Sequence, residues 1–413
     1  MQQETVVILG GIRPHAELAD YLRSKGYRTV LIDYLPHPVA KDYVDIHYQE
    51  STLDVEAVEQ ICRKEKALRI MDLCTDRAIP PAAFVAERLG LNHPFSYETS
   101  RIVTDKNMMK AWLKAIGVPS SEFVSVSSLE DIPVDRLHYP LIVKPSDASG
   151  SIGITKVDSS QGLQDAVDKA LTHSRNHQAI VEEFVQGVEI QIDCFVADGK
   201  VMVLDIKEKR KSACDRLTLS YGSLIPARIP DGMKLRCRSI SERIASSLGI
   251  QNGPLYIQAI VTDNDLSVIE FGVRFGGNLS FRIIRDMTGI DIIKASADAY
   301  LGLKPRLEMR QPSLPVYATY HVFPREGVFS MLVGDETLKA DGSIDTLYVN
   351  RQVGQICSGD MSSSERLASF TVRAGSYREV DEKLNHILQT LDILDDKGES
   401  IMRKDIYNLD WNQ

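Results

Sequence analysis

The block with the most chemical content reads YPLIVKPSDASGSIG over residues 139–153. A β-rich run delivers Lys144, and a loop of Ser, Ala and Gly follows at once. Small residues let backbone N–H groups approach phosphate oxygens, and the lysine adds a point charge on the same anion. The lysine precedes the glycines and no Gly-Lys-Ser/Thr occurs, so this is not a Walker loop. Taken alone, the block also suits a solvated turn after a strand.

Two more blocks add what a nucleotide needs. In VEEFVQGVEIQID, residues 181–193, Glu182-Glu183-Phe184-Val185 can present backbone groups to a planar base, and Glu189 can take two ribose hydroxyls. In PLYIQAIVTDNDLSVIEFGVRFGGN, residues 254–278, two strand-like runs (255–262 and 266–271) are joined by Asp263-Asn264-Asp265. Such a hairpin lets Gln258 and Glu270 face each other across the pair. An oxygen-only pair beside a triphosphate suits hard Mg²⁺, with phosphates and waters completing the octahedron. Arg274 follows on the same segment and can neutralise a transferring phosphoryl group. Read in isolation, these are a strand with exposed acids and a structural Glu–Arg pair.

The elements that must position these groups are legible as alternating patterns. Residues 5–9 form a strand ending in Gly10-Gly11, followed by a helix over 15–25 and a second strand over 28–33. Helices at 54–66 and 77–89 and an extended run at 68–73 complete a small doubly wound unit with a parallel sheet. The Gly10-Gly11 turn with Asp33 invites a dinucleotide reading, but no third glycine arrives in Ile12-Arg13-Pro14-His15. The fingerprint needs that glycine for helix–strand packing, so a substrate-facing or structural role is preferred.

A helix spans 99–116, carries Lys106 and Lys110, and stops at Gly117 and Pro119. Strands at 123–126, 141–143 and 179–182 surround a helix over 162–171. Residues 189–197 and 201–206 read as a hairpin turning at Asp198-Gly199, and a helix occupies 233–248. Hairpins among helices indicate α+β lobes and not a second open parallel sheet. A break at Gln311-Pro312 precedes a last stretch of mixed strand and helix.

Bulk properties narrow the partners. The 413 residues exceed one ordinary domain, and 43% hydrophobic with 25% charged residues supply real cores. A net charge of −9 argues against nucleic acid or an anionic membrane surface, despite the local run of residues 207–211, KEKRK. The six cysteines form no CxxC pair and the nine histidines no HExxH, which disfavours soft-ligand metal sites. No secretory pattern opens the chain, and no apolar run approaches the ~18 residues of a membrane span. A cytoplasmic location is expected.

In this order and spacing, the three blocks resemble the ATP-grasp superfamily over residues 100–300. The resemblance implies a mixed α/β and α+β architecture in four parts. These are an N-terminal Rossmann-like pre-ATP-grasp domain (1–98), an N-terminal lobe (99–185), a C-terminal lobe (186–310) and a small C-terminal α+β domain (311–413). It implies ATP and Mg²⁺, or Mn²⁺, as cofactors. Lys106 and Lys144 would meet the phosphates, and Ser149-Gly150-Ser151-Ile152-Gly153 would form the lid. Glu182, Phe184 and Val185 would hold adenine, Glu189 the ribose, Gln258 and Glu270 the metal. Arg274, Glu270 and Lys207 would serve catalysis, with Asp205 and Lys209 on a neighbouring mobile stretch. Arg274, Gly276, Gly277 and Asn278 would line the acceptor side.

Two departures from the family pattern stand out. Gln258 replaces the usual acid on the first metal strand, as in carbamoyl-phosphate-synthetase-like members. The frequent Glu-x-Asn-x-Arg reads Glu270-Phe271-Gly272-Val273-Arg274, a form similar to that of amino-acid (dipeptide) ligases. The implied reaction joins a small carboxylate to an amine through an acyl phosphate, releasing ADP and phosphate, in a chain open to homodimerisation. Formyltransferases or carboxylases of the purine type, and a nucleotide-binding regulator without turnover, are the alternatives.

Overall fold

The computed structural model describes residues 3–132, 136–148, 152–212, 219–277, 279–311, 314–360, 362 and 365–408. The first sheet consists of β1 (Thr5–Leu9), β2 (Arg28–Ile32), β3 (Ile46–Tyr48) and β4 (Ala67–Met71), all parallel in the order β3-β2-β1-β4. Every residue of β1 is buried, as expected of a parallel strand covered on both faces. Val6 and Ile8 pack toward the helix Arg13–Ser24, whereas Val7 and Leu9 join Val58, Ile61 and Ala82 on the opposite face. Beyond β4 a single 3-10 turn, Asp76–Ala78, carries the chain into the helix Ile79–Leu89. That turn holds Asp76 past the carboxyl end of the sheet, where parallel α/β sheets place ligands.

The helical pattern over 99–116 is two helices, Tyr97–Thr104 and Lys106–Ala115. Asp105 is the reason. Its backbone is extended, and its side chain accepts from the Met108 amide at 3.0 Å, so it ends one helix and caps the next. Lys106 thereby becomes the first residue of a helix, with its amide donating to the Ser146 carbonyl at 3.0 Å.

A second, antiparallel sheet holds β5 (Phe123–Val126), β6 (Leu141–Pro145), β7 (Thr155–Val157) and β8 (Ala179–Glu183), in the order β5-β8-β6-β7. The helix Leu163–His173 buries Leu163, Ala166, Val167 and Ala170 against it.

The largest sheet is antiparallel and has eight strands. It contains β9 (Val188–Ala197), β10 (Lys200–Lys211), β11 (Ser220–Ile225), β12 (Gly253–Val261), β13 (Leu266–Gly272), β14 (Val316–Val322), β16 (Thr346–Val349) and β18 (Ala368–Ala374). Their order is β13-β12-β9-β10-β11-β14-β18-β16. The helix Asp231–Ser247 covers one face of its first half. Phe195 and Leu204, from the other face, share a core with Leu18 and Leu22 of the first unit. The ladder continues across residue 311, because β11 pairs with β14 from Gly222↔Tyr320 to Ile225↔Tyr317. β15 (Glu326–Val333), β17 (Ile356–Ser358) and β19 (Asp392–Asp395) form a small separate sheet. Among the described residues no helix is long and apolar enough to cross a membrane.

Candidate active site

A cleft of about 290 Å³ opens where the turn after β4, the helix starting at Lys106 and the β12–β13 hairpin meet; Asp76, Lys106, Asp147, Arg175, Tyr256 and Glu270 line it. Lys106 donates through Nζ to the Ala148 carbonyl at the start of the Ser/Gly loop. Burial pulls its pKa down, Glu270 opposes that, and Lys144 adds to it. A half-desolvated ammonium of this kind gains strongly from an arriving polyanion.

Gln258 and Glu270 lie directly opposite in the β12–β13 register. The Tyr256 hydroxyl donates to Glu270 Oε1 at 2.9 Å, and Gln258 Nε2 donates to Glu189 Oε1 at 2.5 Å. Lys211 Nζ is 2.5 Å from the second oxygen of Glu189. Glu189 is therefore fixed at the head of β9 beside the metal-candidate pair. No cluster of three or more His, Cys, Asp or Glu side chains suited to a metal occurs among the described residues. A single carboxylate with an amide oxygen fits a hard ion whose remaining positions are phosphate and water.

Arg274 caps this hairpin. Its guanidinium carbon sits 4.1 Å from the centroid of the Tyr256 ring, Nη2 donates to Asp76 Oδ2 at 2.7 Å, and Nε donates to Asp76 Oδ1. Burial alone would lower its pKa, but Asp76 and the Tyr256 hydroxyl outweigh it and hold the charge firmly. Gly272 explains itself here. A Cβ at this position would stand 2.5 Å from Tyr256 Cε1, so the aromatic ring occupies the space an asparagine would need.

Lys144 forms a buried ion cluster. Its Nζ lies 2.5 Å from Glu182 Oε1, Lys110 Nζ lies 2.8 Å from Glu182 Oε2, and Ser121 adds a hydrogen bond at 2.9 Å. Burial would raise the Glu182 pKa, yet the two lysines hold it down at about 2. The side chain of Glu182 thus points into the lobe core, while its backbone sits between β5 and β6. The Phe184 amide donates to the Pro140 carbonyl at 2.9 Å, and Lys156 Nζ stands 4.8 Å from the Phe184 ring centroid. Val185 is half-buried in the following segment and Ile152 is exposed at the loop's end. Ser149, Gly150, Ser151 and Asn278 lie outside the described residues.

Lys207 belongs to a second group, deeper in the large sheet. It donates to Asp193, to Ser280 Oγ at 2.7 Å, and lies 3.3 Å from Asp205 Oδ2. Asp193 also accepts from the Gly276 amide and from Gln191 Nε2, each at 2.7 Å. A Cβ at Gly276 would fall 1.9 Å from Gln191 Nε2, so the backbone reaches Asp193 only because this residue has no side chain. Burial pushes the Asp205 carboxyl up, and Asp193 beside it adds to that, against Lys207. Lys209 Nζ donates to Gln191 Oε1 at 2.6 Å. Gly277 lines a second, smaller cavity together with Gln191, Lys207, Lys209 and Ser280.

Asp76, Tyr256, Asp193 and the partner role of Lys110 escape the sequence patterns. Asp76 had a signal, since it is a polar residue just past a parallel strand. Asp193 closes the same block as Glu189 but has no spacing partner along the chain. Of its partners Gln191, Lys207 and Gly276, the last lies 83 residues away.

Residues 137–281 match the ATP-grasp domain family. The chain is 26% identical over 329 residues to the L-arginine-specific L-amino acid ligase of Bacillus subtilis, covering 76% of this chain and 78% of that one. It is 24% identical over 294 residues to a carbamoyl phosphate synthase large chain of Clostridium acetobutylicum. That match covers 68% of this chain and 26% of the relative. The chain spans only 12% to 26% of the length of its longer relatives, multifunctional proteins and synthase large chains. Among solved structures, an L-amino acid ligase from Bacillus licheniformis superposes with a TM-score of 0.80 at 22% identity, over 96% of this chain and 99% of that one. At that identity the likeness is one of fold.

Proposed function

From the premise that the chain carries an ATP-grasp domain at residues 137–281, we propose that it is an ADP-forming ligase joining a small carboxylate to an amine. The observation that carries this reading is the meeting of Lys106, Glu270 and the Asp76–Arg274 pair at one cleft. The similarity to an L-amino acid ligase over three-quarters of the chain supports an amino acid as one substrate.

In the first step a substrate carboxylate oxygen attacks the γ-phosphorus of ATP, and the bond to the bridging oxygen of ADP breaks. Charge spreads over the phosphoryl oxygens, so positioned cations do most of the work. Lys106 and Lys144 would hold the phosphates, and Arg274 supplies a guanidinium braced by Asp76 and Tyr256. Mg²⁺ held by Glu270 and Gln258 would neutralise phosphate oxygens. In the second step an amine nitrogen attacks the acyl carbon, the carbon–oxygen bond to phosphate breaks, and the amine loses a proton. Neither step needs a side-chain nucleophile. Glu189 would take the ribose, with Phe184 and Val185 beside the base.

Hydroxylamine tests the chemistry. It should intercept the acyl phosphate as a hydroxamate, formed in step with ADP and dependent on ATP, Mg²⁺ and one carboxylate. ADP without hydroxamate would remove the ligase reading, and AMP with pyrophosphate would overturn the phosphoryl-transfer step.

A further inference from the structure

Asp72 directly follows β4, and its side chain is buried against the helix Ile292–Leu301. Tyr300 of that helix donates its hydroxyl to the Asp72 carbonyl at 2.7 Å, and Asp72 Oδ1 stands 3.0 Å from the same hydroxyl. A hydroxyl has one hydrogen. With that hydrogen on the nearer carbonyl, Oδ1 faces an oxygen lone pair, a contact that suits a carboxylic acid and repels a carboxylate. Oδ2 is buried with no hydrogen-bond partner among the described residues. A carboxylate buried in such a place is costly, and the neutral acid costs far less.

The charged and titratable groups around Asp72 are Asp76, Arg274, Cys74 and Tyr300, with His93 and Arg69 behind the tyrosine and His15 across the Gly10 turn from Thr75. Burial pushes the Cys74 thiol up to about 12 and the Tyr300 hydroxyl well above its ordinary value, so both stay neutral. His93, edge-on to the Tyr300 ring at 4.9 Å, and His15 are each drawn down to about 4 by burial and carry no charge. Arg69 Nε is spent on the Tyr300 carbonyl at 3.0 Å. Burial carries the Asp72 carboxyl up to about 7; the Tyr300 hydroxyl opposes this, Asp76 adds to it and Arg274 opposes it. Arg274 is thus the cation on which an ionised Asp72 draws, and Asp76 already holds it.

We propose that Asp72 is a positioning residue: it keeps its proton in the working enzyme, and losing that proton pulls Arg274 off its brace of Asp76 and Tyr256. This role rests on the ligase reading, in which Arg274 serves phosphoryl transfer. The proton passes from the Asp72 carboxyl to solvent, and two carboxylates four residues apart then compete for one guanidinium. Drawn toward Asp72, the guanidinium gives up its two-point contact with Asp76 and its place on the Tyr256 ring. Phosphoryl transfer therefore slows as pH rises past neutrality.

The test compares the full chain with Asp72→Asn, which has the shape of the neutral acid and cannot ionise. ADP release is read at saturating ATP, Mg²⁺, carboxylate and amine over a range of pH. The ratio of wild-type to Asp72→Asn kcat cancels the titration of the amine. It should stay level below about pH 6 and fall about five-fold or more by about pH 8.5. Stability gives a second readout. The Asp72 carboxyl titrates near 7 in the folded chain against an ordinary 3.8, so the folded chain binds the proton more readily. Wild-type stability should therefore fall as pH rises from about 4 to about 7, and the urea midpoint of Asp72→Asn should not share that fall. Midpoints that diverge while the kcat ratio stays level make Asp72 structural only and overturn the positioning role. Parallel midpoints overturn the retained proton itself. Calorimetric titration of the ATP analogue AMP-PNP with Mg²⁺ reads Arg274 without turnover. Wild-type affinity should drop about three-fold relative to Asp72→Asn between about pH 6 and about pH 8.5. That drop, with no amide formed from any carboxylate and amine, would keep the role of Asp72 and remove the ligase reading. Equal affinity profiles in the two proteins count against the proposal.

Discussion

Tyr256 holds two site residues at once: its ring lies under the Arg274 guanidinium, 4.1 Å away, and its hydroxyl donates to Glu270 at 2.9 Å. One aromatic residue therefore couples the metal-candidate acid to the phosphoryl-side cation. Tyr256→Phe should keep the stack and lose the hydrogen bond, lowering kcat roughly three- to ten-fold. Tyr256→Ala should cost much more, since Arg274 loses its platform as well. Gly272→Asn should resemble Tyr256→Ala, because the new side chain displaces the ring. Equal activity of the Phe and Ala variants would show that the stack does nothing.

Glu270→Ala should reduce ADP release by about a hundred-fold or more while the far-UV circular dichroism stays native. Near-normal turnover in that folded variant would remove the metal assignment. Lys144→Ala should weaken ATP binding measured by equilibrium dialysis. It should still fold, because Lys110 remains on Glu182.

The Glu182 cluster predicts a specific acid sensitivity. Its carboxyl titrates near 2 in the folded chain against an ordinary 4.5, so the unfolded chain binds the proton more readily. The stabilisation is complete above pH 4.5 and is lost as pH falls toward 2. Glu182→Gln strands two buried lysines and should cost about 3–5 kcal/mol near neutrality. Its urea midpoint should also fall less steeply than the wild type's between about pH 5 and pH 2. Parallel pH profiles for the two proteins would count against the cluster.

Two adjacent glycines should respond differently to alanine. At Gly276 the new methyl meets Gln191 Nε2 at 1.9 Å and Asp193 at 2.8 Å, whereas at Gly277 nothing described lies within 4 Å. Gly276→Ala should lose about 1–3 kcal/mol by thermal denaturation. Gly277→Ala should stay within about 0.5 kcal/mol of wild type. Similar losses at both would mean that backbone conformation, and not close approach, governs this turn.

Local patterns made much of the molecule readable. The strand at 123–126, the turn at Asp198-Gly199 and the Gln258–Glu270 register all follow from alternation and short loops, and the structure shows each of them. The single helix expected over 99–116 is divided because Asp105 can cap, a local preference that competes with helical periodicity. What stayed hidden was long-range. Arg274 meets Asp76 across 198 residues, and Lys207 meets Ser280 across 73. Neither pairing leaves a periodic trace, and Gly272 gave no hint that a tyrosine ring fills its missing side chain.

The β11–β14 ladder has a consequence for how this chain can be divided. A protein ended at residue 311 would bare four residues of β11 backbone, together with the apolar side chains Tyr221 and Leu224. An uncovered central edge of that kind invites pairing with another chain. A hybrid that exchanges the last hundred residues with a relative's must therefore rebuild a hydrogen-bonded seam.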